Sequence, residues 1–296
     1  IAEEERGHFL SVDQFFMNCG NLVSLLFTAL LITGTADPWE YSLVFSVAAA
    51  ACIVAMCFIA KTPDAATGPV MQLSETRVPL KEMITYRPFR ELVIFNVIYA
   101  TVIGSFGVFT IEYLHDHSSF DVRSVLALSA CAFAGALVVV PLCGRIIDTT
   151  SSKRLMLFAN GLMAIVISAW ILISTNRLPC THPVAAGLNL ASGVATAIFN
   201  IANIRMAMAI MPETGRNYFF ACFTVITSFG LAGAPIAWGI LLDVLASYEF
   251  EADPLHWQRH SIYFVALLAT EVVAIAWVSR LHEFSPDRTG HVWSRR

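Results

Sequence analysis

Long apolar runs separated by short polar connections set the pattern of this chain. Eight such runs stand near residues 8–33, 38–60, 89–114, 122–144, 154–174, 183–209, 217–243 and 261–280. Each matches the roughly 20 helical residues needed to cross a hydrocarbon core about 30 Å thick. Backbone in lipid must satisfy its own hydrogen bonds, so runs of this length are expected to be helices. The short alternating segments of an outer-membrane barrel are not seen in the sequence. The pattern predicts an all-α membrane protein with eight transmembrane helices in contact with the lipid bilayer.

Composition agrees. Of 296 residues, 57% are hydrophobic and 14% charged, against about a quarter charged in soluble domains. The formal charge is −4 with no basic tract, so no nucleic-acid partner is implied. Cys19, Cys52, Cys57, Cys131, Cys143 and Cys222 lie in apolar runs and only Cys180 in a polar connection, which implies no disulfide framework. No phosphate-cradling Gly-rich loop or metal-ligand cluster stands out, so no cofactor and no metal are expected and primary pumping driven by ATP is disfavoured.

Lys and Arg set the orientation. With eight spans both ends share a side, and that side would hold 15 of the 18 basic residues. These include Arg6, the 61–88 connection, Arg145, Lys153, Arg154, Arg205, Arg216 and the tail. The other side holds Arg123, Arg177 and Arg259. The positive-inside rule places both ends in the cytoplasm, in a plasma or cell inner membrane. The longest connection, 61–88, carries Pro63, Gly68, Pro69 and Pro79 and ends in Tyr86-Arg87-Pro88-Phe89-Arg90. It reads as a cytoplasmic linker between residues 1–60 and a six-helix bundle over 89–282, with 283–296 as a tail.

The stretches before the first and seventh spans look alike. Setting Arg6 on Arg216 brings Glu3 onto Glu213, Phe9 onto Phe219, Gly20 onto Gly230, Gln14 onto Thr224 and Asn18 onto Ser228. A parallel six-helix repeat predicts this pairing of spans one and two with seven and eight. The chain would then hold the last two helices of one half and all six of the next. It opens on Ile1 with no signal-peptide pattern, and is expected to be N-terminally truncated.

The fourth connection reads Gly144-Arg145-Ile146-Ile147-Asp148-Thr149-Thr150-Ser151-Ser152-Lys153-Arg154. It resembles the signature loop of the major facilitator superfamily, Gly-x-x-x-Asp-(Arg/Lys)-x-Gly-x-(Arg/Lys)-(Arg/Lys). Gly144, Asp148, Lys153 and Arg154 match in register, while Thr149 and Ser151 depart from it, as in a degenerate second-half copy. The Glu-x-x-Arg starts of the first and seventh spans, and Gly230, Gly233 and Pro235, also resemble this family. The resemblance implies helices 5 to 12 of twelve, with the missing N-terminal helices of the same protein as partners. It gives Asp148 a gating role: packing at the start of the seventh span, where free N–H groups favour a carboxylate. Arg205 and Arg216 belong to that cytoplasmic cluster, Arg205 either snorkelling or pairing with Asp148.

A transporter lines its path with polar groups that lipid would not tolerate. Asn189, Ser192, Thr196, Asn200 and Asn203 recur at helical spacing, as do Gln14, Asn18, Asn21, Ser24 and Thr28. Asn96, Tyr99, Thr224, Ser228 and Trp238 join them as candidate substrate-cavity residues. Two readings stand: these side chains face a cavity, or they stitch helices together. Glu112 and Glu271 are the carboxylates placed to carry a coupling proton, although helix 12 of the family usually lies outside the cavity. His117 to Asp121 and the pair His256 and His260 lack the spacing of an acyltransferase or zinc site. The sequence thus points to a secondary active transporter moving a small-molecule substrate by alternating access, with protons or another ion coupled. The alternatives are a membrane-embedded enzyme and a transport-inactive sensor or scaffold with the same fold.

Overall fold

A computed structural model of the chain describes residues 6–32, 37–61, 77–117, 120–245, 250–252 and 255–281; the side chains of 6–10, 117, 143–149 and 250–256 lie outside the described residues. The helices are α1 (Arg6–Leu31), α2 (Pro38–Ile59), α3 (Leu80–Thr85), α4 (Arg87–His117), α5 (Val122–Thr149), α6 (Ser152–Ser174), α7 (His182–Ile210), α8 (Arg216–Val244) and α9 (Arg259–Val278). Eight are long and apolar enough to span a membrane, in the places the hydrophobic runs predict.

Local sequence explains the helix boundaries. Pro38 and Pro183 stand in the first turns of α2 and α7, where a missing N–H costs nothing and the fixed φ is helical. At the start of α9 Ser261 Oγ accepts the Gln258 backbone N–H at 3.4 Å, satisfying one otherwise free donor. Gly215 precedes α8 at φ 72°, a left-handed conformation that a Cβ disfavours. Pro141 and Pro235 sit inside α5 and α8.

Two features differ from the sequence reading. The signature loop is mostly helix: α5 continues to Thr149 and α6 begins at Ser152. Arg145-Ile146-Ile147-Asp148 contains no residue that would stop a helix, so only Thr150 and Ser151 make the turn. The 61–88 linker also contains the short helix α3. In addition, Phe250–Ala252 and Leu255–Trp257 pair antiparallel as a small hairpin between α8 and α9.

Helices α4 to α9 form one bundle. The end carrying α3 and the α5–α6 and α7–α8 turns is here called the linker end, and the opposite one the hairpin end. Cross-bonds fix the register of α9 against its neighbours. At the linker end Lys153 Nζ donates to the carbonyls of Ser279 (2.6 Å) and Leu281 (3.1 Å), and Trp277 Nε1 to that of Glu91 (3.2 Å). Towards the hairpin end Ser261 Oγ donates to the Ser174 carbonyl (3.0 Å) and Tyr263 to Ser105 Oγ (3.0 Å). A linker-end core gathers Phe89, Phe95, Phe199 and Phe219, and a hairpin-end core gathers Trp170, Tyr263 and Phe264. Glycines let helices close on one another. A Cβ on Gly193 of α7 would lie 1.7 Å from the Ala132 carbonyl oxygen of α5, and one on Gly104 of α4 2.6 Å from that of Leu231 of α8.

Helix α1 packs against α5 and touches α7. Along α2, among the described residues, only Glu40 is buried.

Candidate functional site

The polar residues singled out in the sequence fall into three groups. The first is a seam between α4 and α7. Asn96 and Asn203 are both buried and exchange amide hydrogen bonds: Asn96 Nδ2 donates to Asn203 Oδ1 at 3.1 Å, and Asn203 Nδ2 to Asn96 Oδ1 at 2.7 Å. One turn further, Tyr99 hydrogen-bonds Thr196 and stacks on Phe199, with ring centroids 3.5 Å apart and planes 18° apart. Phe199 carries no polar signal in the sequence; its role comes from lying one turn from both Thr196 and Asn203. Elsewhere on α7, Asn189, Ser192 and Thr196 donate to the carbonyls of Ala185, Asn189 and Ser192. The two hydroxyl donors are thus used within their own helix, leaving their acceptor lone pairs for other groups. Asn200 is half-buried.

The second group lies on α1 and α8. Gln14 and Asn18 are buried, and Asn18 Nδ2 donates to the Gln14 carbonyl at 2.6 Å. Asn21 and Ser24 of the same helix are exposed, so the α1 stripe splits by depth. Thr224 and Ser228 of α8 are exposed. Trp238 points inward instead, its indole N–H donating to the Thr101 carbonyl at 3.0 Å with its ring edge-on to Tyr263.

The third group is charged. At the linker end Arg205 Nη1 reaches the Thr150 carbonyl at 3.4 Å, placing this cation beside the α5–α6 turn. Arg216 Nη2 reaches the Met211 carbonyl at 3.4 Å and Arg154 is exposed. Gly144 and Asp148 fall where side chains lie outside the described residues. Lys153 is committed to the end of α9, where its charge meets the unpaired carbonyls of a helix C-terminus.

At the hairpin end Glu112 pairs with Arg259 at 3.2 Å, each about a third exposed. Arg259 also lies 3.6 Å from Asp116. The buried His260 ring places Nε2 3.7 Å from Glu112 Oε1, an electrostatic distance rather than a hydrogen bond. Glu271 contrasts with this. It is fully buried in the middle of α9, and neither carboxyl oxygen has a hydrogen-bond partner. Among the described residues no three His, Cys, Asp or Glu side chains gather as a metal site. The open groove between α4 and α9 is apolar apart from Thr101 and Thr270.

These features define an integral membrane protein whose helices keep polar side chains at internal crossings. The Major Facilitator Superfamily model matches residues 1–186 and 110–291, which together cover nearly the whole chain, and the protein belongs to this superfamily of membrane transporters. No curated protein matches the chain.

Proposed function

We propose that the protein is a secondary active transporter that moves a small solute by alternating access between two helical bundles. Helices α1 and α2 take the places of helices five and six, α4 to α9 those of helices seven to twelve, and helices one to four complete the first bundle. The internal likeness at an offset of 210 residues supports this assignment, as does the packing of α1 against α5. Both ends of the chain lie in the cytoplasm, so the linker end is the cytoplasmic one.

The observation that carries the reading is the α4–α7 seam. Buried amides and hydroxyls are costly among apolar helices. Here Asn96 with Asn203, and Tyr99 with Thr196, satisfy one another at successive levels of one seam instead of being replaced by apolar residues. Asn189, Ser192 and Asn200 on α7, with Thr224 and Ser228 on α8, continue polar chemistry along the path. Gln14, Asn18 and Asn21 supply it from the other bundle. Their hydroxyl and amide groups suit sugars, amino acids or amphiphilic drugs. Asp148, with Arg205 and Arg216, closes the cytoplasmic end in the outward-open state.

The coupling ion is the proton, with Glu112 and Glu271 as its candidate carriers. Glu112 already neutralises Arg259, whereas the buried Glu271 has no ionic partner among the described residues that would hold it charged. Full-length protein in proteoliposomes, given a panel of those three solute classes and an imposed pH gradient, tests the proposal. Saturable uptake of one class, raised by the gradient, is expected. Absence of flux alongside specific solute binding would make the protein a sensor with a transporter fold.

A further inference from the structure

Glu271 does not face the bundle alone. Lys153 and Ser174, the two α6 residues bonded to α9, are 21 residues apart and lie on one helical face. Asn160, seven residues beyond Lys153, falls on that same face and is therefore aimed at α9. The same two bonds set the depth. Asn160 is seven residues from Lys153, and Glu271 is eight residues from Ser279, the Lys153 acceptor. At 1.5 Å per residue, both stand about 10–12 Å from that cross-bond. On α9, Glu271 lies between the face that meets α6 through Ser261 and the face that meets α4 through Tyr263 and Trp277.

Both side chains are fully buried. Asn160 Nδ2 is already used, donating to the Met156 carbonyl at 2.7 Å. That leaves Asn160 Oδ1 without a partner, beside the second N–H of Nδ2. On α9, both oxygens of Glu271 also lack a partner. From α4, the Tyr99 phenol interacts electrostatically with Glu271 and hydrogen-bonds Thr196 of α7. The nearest charges on the neighbouring helices that bond α9, Lys153 on α6 and Glu91 on α4, sit about two turns nearer the linker end. Two acceptor groups therefore share one buried layer with no cation beside them among the described residues. A carboxylate there would be desolvated and would face a second acceptor. A neutral carboxyl has one O–H to give and an orphan acceptor to receive it.

We infer that Glu271 and Asn160 form a proton-binding site at the α4–α6–α9 junction, in which the neutral Glu271 carboxyl donates its O–H to Asn160 Oδ1. Glu271 is the proton carrier and Asn160 the positioning residue. The orphan Asn160 Oδ1 can accept only from the protonated carboxyl, so this bond favours the protonated state. Binding and release are a simple transfer: a proton from water joins a Glu271 oxygen, and the O–H bond breaks on its return. This assignment deepens the proton-coupled reading above, but the site is measured without transport.

The test uses the full-length protein in lipid vesicles. Infrared spectra should show a protonated carboxyl band at neutral pH that Glu271→Gln removes. Asn160→Leu should move that band to higher frequency, towards a carboxyl without an acceptor. A hydrophobic carbodiimide, which reacts with protonated carboxyls in apolar surroundings, should label the Glu271 peptide in wild type and not in Glu271→Gln. Glu271→Gln, isosteric with the neutral acid and able to donate to Asn160, should keep wild-type thermal stability even if Asn160→Leu fails to fold. A carboxylate signal for Glu271 at neutral pH would overturn the site. So would a band that Asn160→Leu leaves unmoved, or a Glu271→Gln variant that unfolds. If the site passes and the solute panel shows no flux, the transporter reading fails and the proton site stands.

Discussion

Helix α7 can lie against α5 only because residue 193 has no side chain. A methyl group there would meet the Ala132 carbonyl oxygen at 1.7 Å, its carbon at 2.5 Å and its Cα at 2.8 Å. All three atoms are backbone, so no rotamer change relieves the clash. Reaching ordinary contact at 3.4 Å requires the helices to part locally by about 1.7 Å. A gap of 0.5–1 Å already forfeits about a quarter to a half of each dispersion contact. Membrane helices associate through such contacts and not through exclusion of water. Overpacking of this kind costs about 3 kcal/mol, against about 1 kcal/mol gained from replacing a mid-helix glycine by alanine. Gly193→Ala should therefore lose about 2 kcal/mol net, or roughly 4–8 °C in the unfolding midpoint of the purified protein in detergent. Gly161 of α6 supplies the control, since a Cβ there meets nothing within 4 Å. Gly161→Ala should match wild type or exceed it by up to about 1 kcal/mol. Equal midpoints for the two variants would refute the close α5–α7 crossing.

The Asn96–Asn203 pair predicts strong coupling. Either residue changed alone to Leu leaves a buried amide unsatisfied, at a cost of about 1–3 kcal/mol. The double variant should recover much of that loss, and additive losses in a double-mutant cycle would show that the bonds do not matter. Topology is checked in a Cys-free background. Thr76→Cys and Ser285→Cys should be shielded from impermeant thiol reagents in intact cells, while a restored Cys180 and Glu251→Cys should be labelled. Outside labelling of Thr76→Cys would invert the proposed orientation. The capping glycine of α8 should resist change: Gly215→Ala forces a Cβ into φ 72° and should cost about 1–2 kcal/mol, read as a lowered unfolding midpoint.

The span count was legible because hydrophobic length has one physical meaning in a bilayer, and each predicted run contains a helix. Helix ends were less legible. Gly144 to Asp148 reads as a loop through its motif, yet nothing in Arg145-Ile146-Ile147 breaks a helix, and α5 runs through it. For the candidate site, helical spacing identified Asn96, Thr196 and Asn203 as polar positions within spans. Only the packing shows that Asn96 and Asn203 satisfy each other. Asn160 escaped the sequence reading because it is a single polar residue with no stripe around it. Its meaning depends on the register of α6 against α9, set by contacts between residues 87 and 126 positions apart. Lys153 likewise looks like a gate in the motif, and its partners at the end of α9 are visible only in three dimensions. His260 sits in a loop-like sequence but is buried beside Glu112 because α9 starts at Arg259.

The central proposal is that the polar face of α7 lines an aqueous path open alternately to each side. The most direct measurement places a single cysteine at Asn200, a half-buried member of the polar stripe, in full-length protein without other cysteines. Small hydrophilic thiol reagents applied separately from the two sides of sealed vesicles should both react with Asn200→Cys. A transported solute should slow the reaction, and a lipid-facing control, Phe229→Cys, should stay inert to the same reagents. Asn200→Cys that reacts only with a membrane-permeant apolar reagent would contradict the account, leaving the α7 stripe as a means of holding helices together.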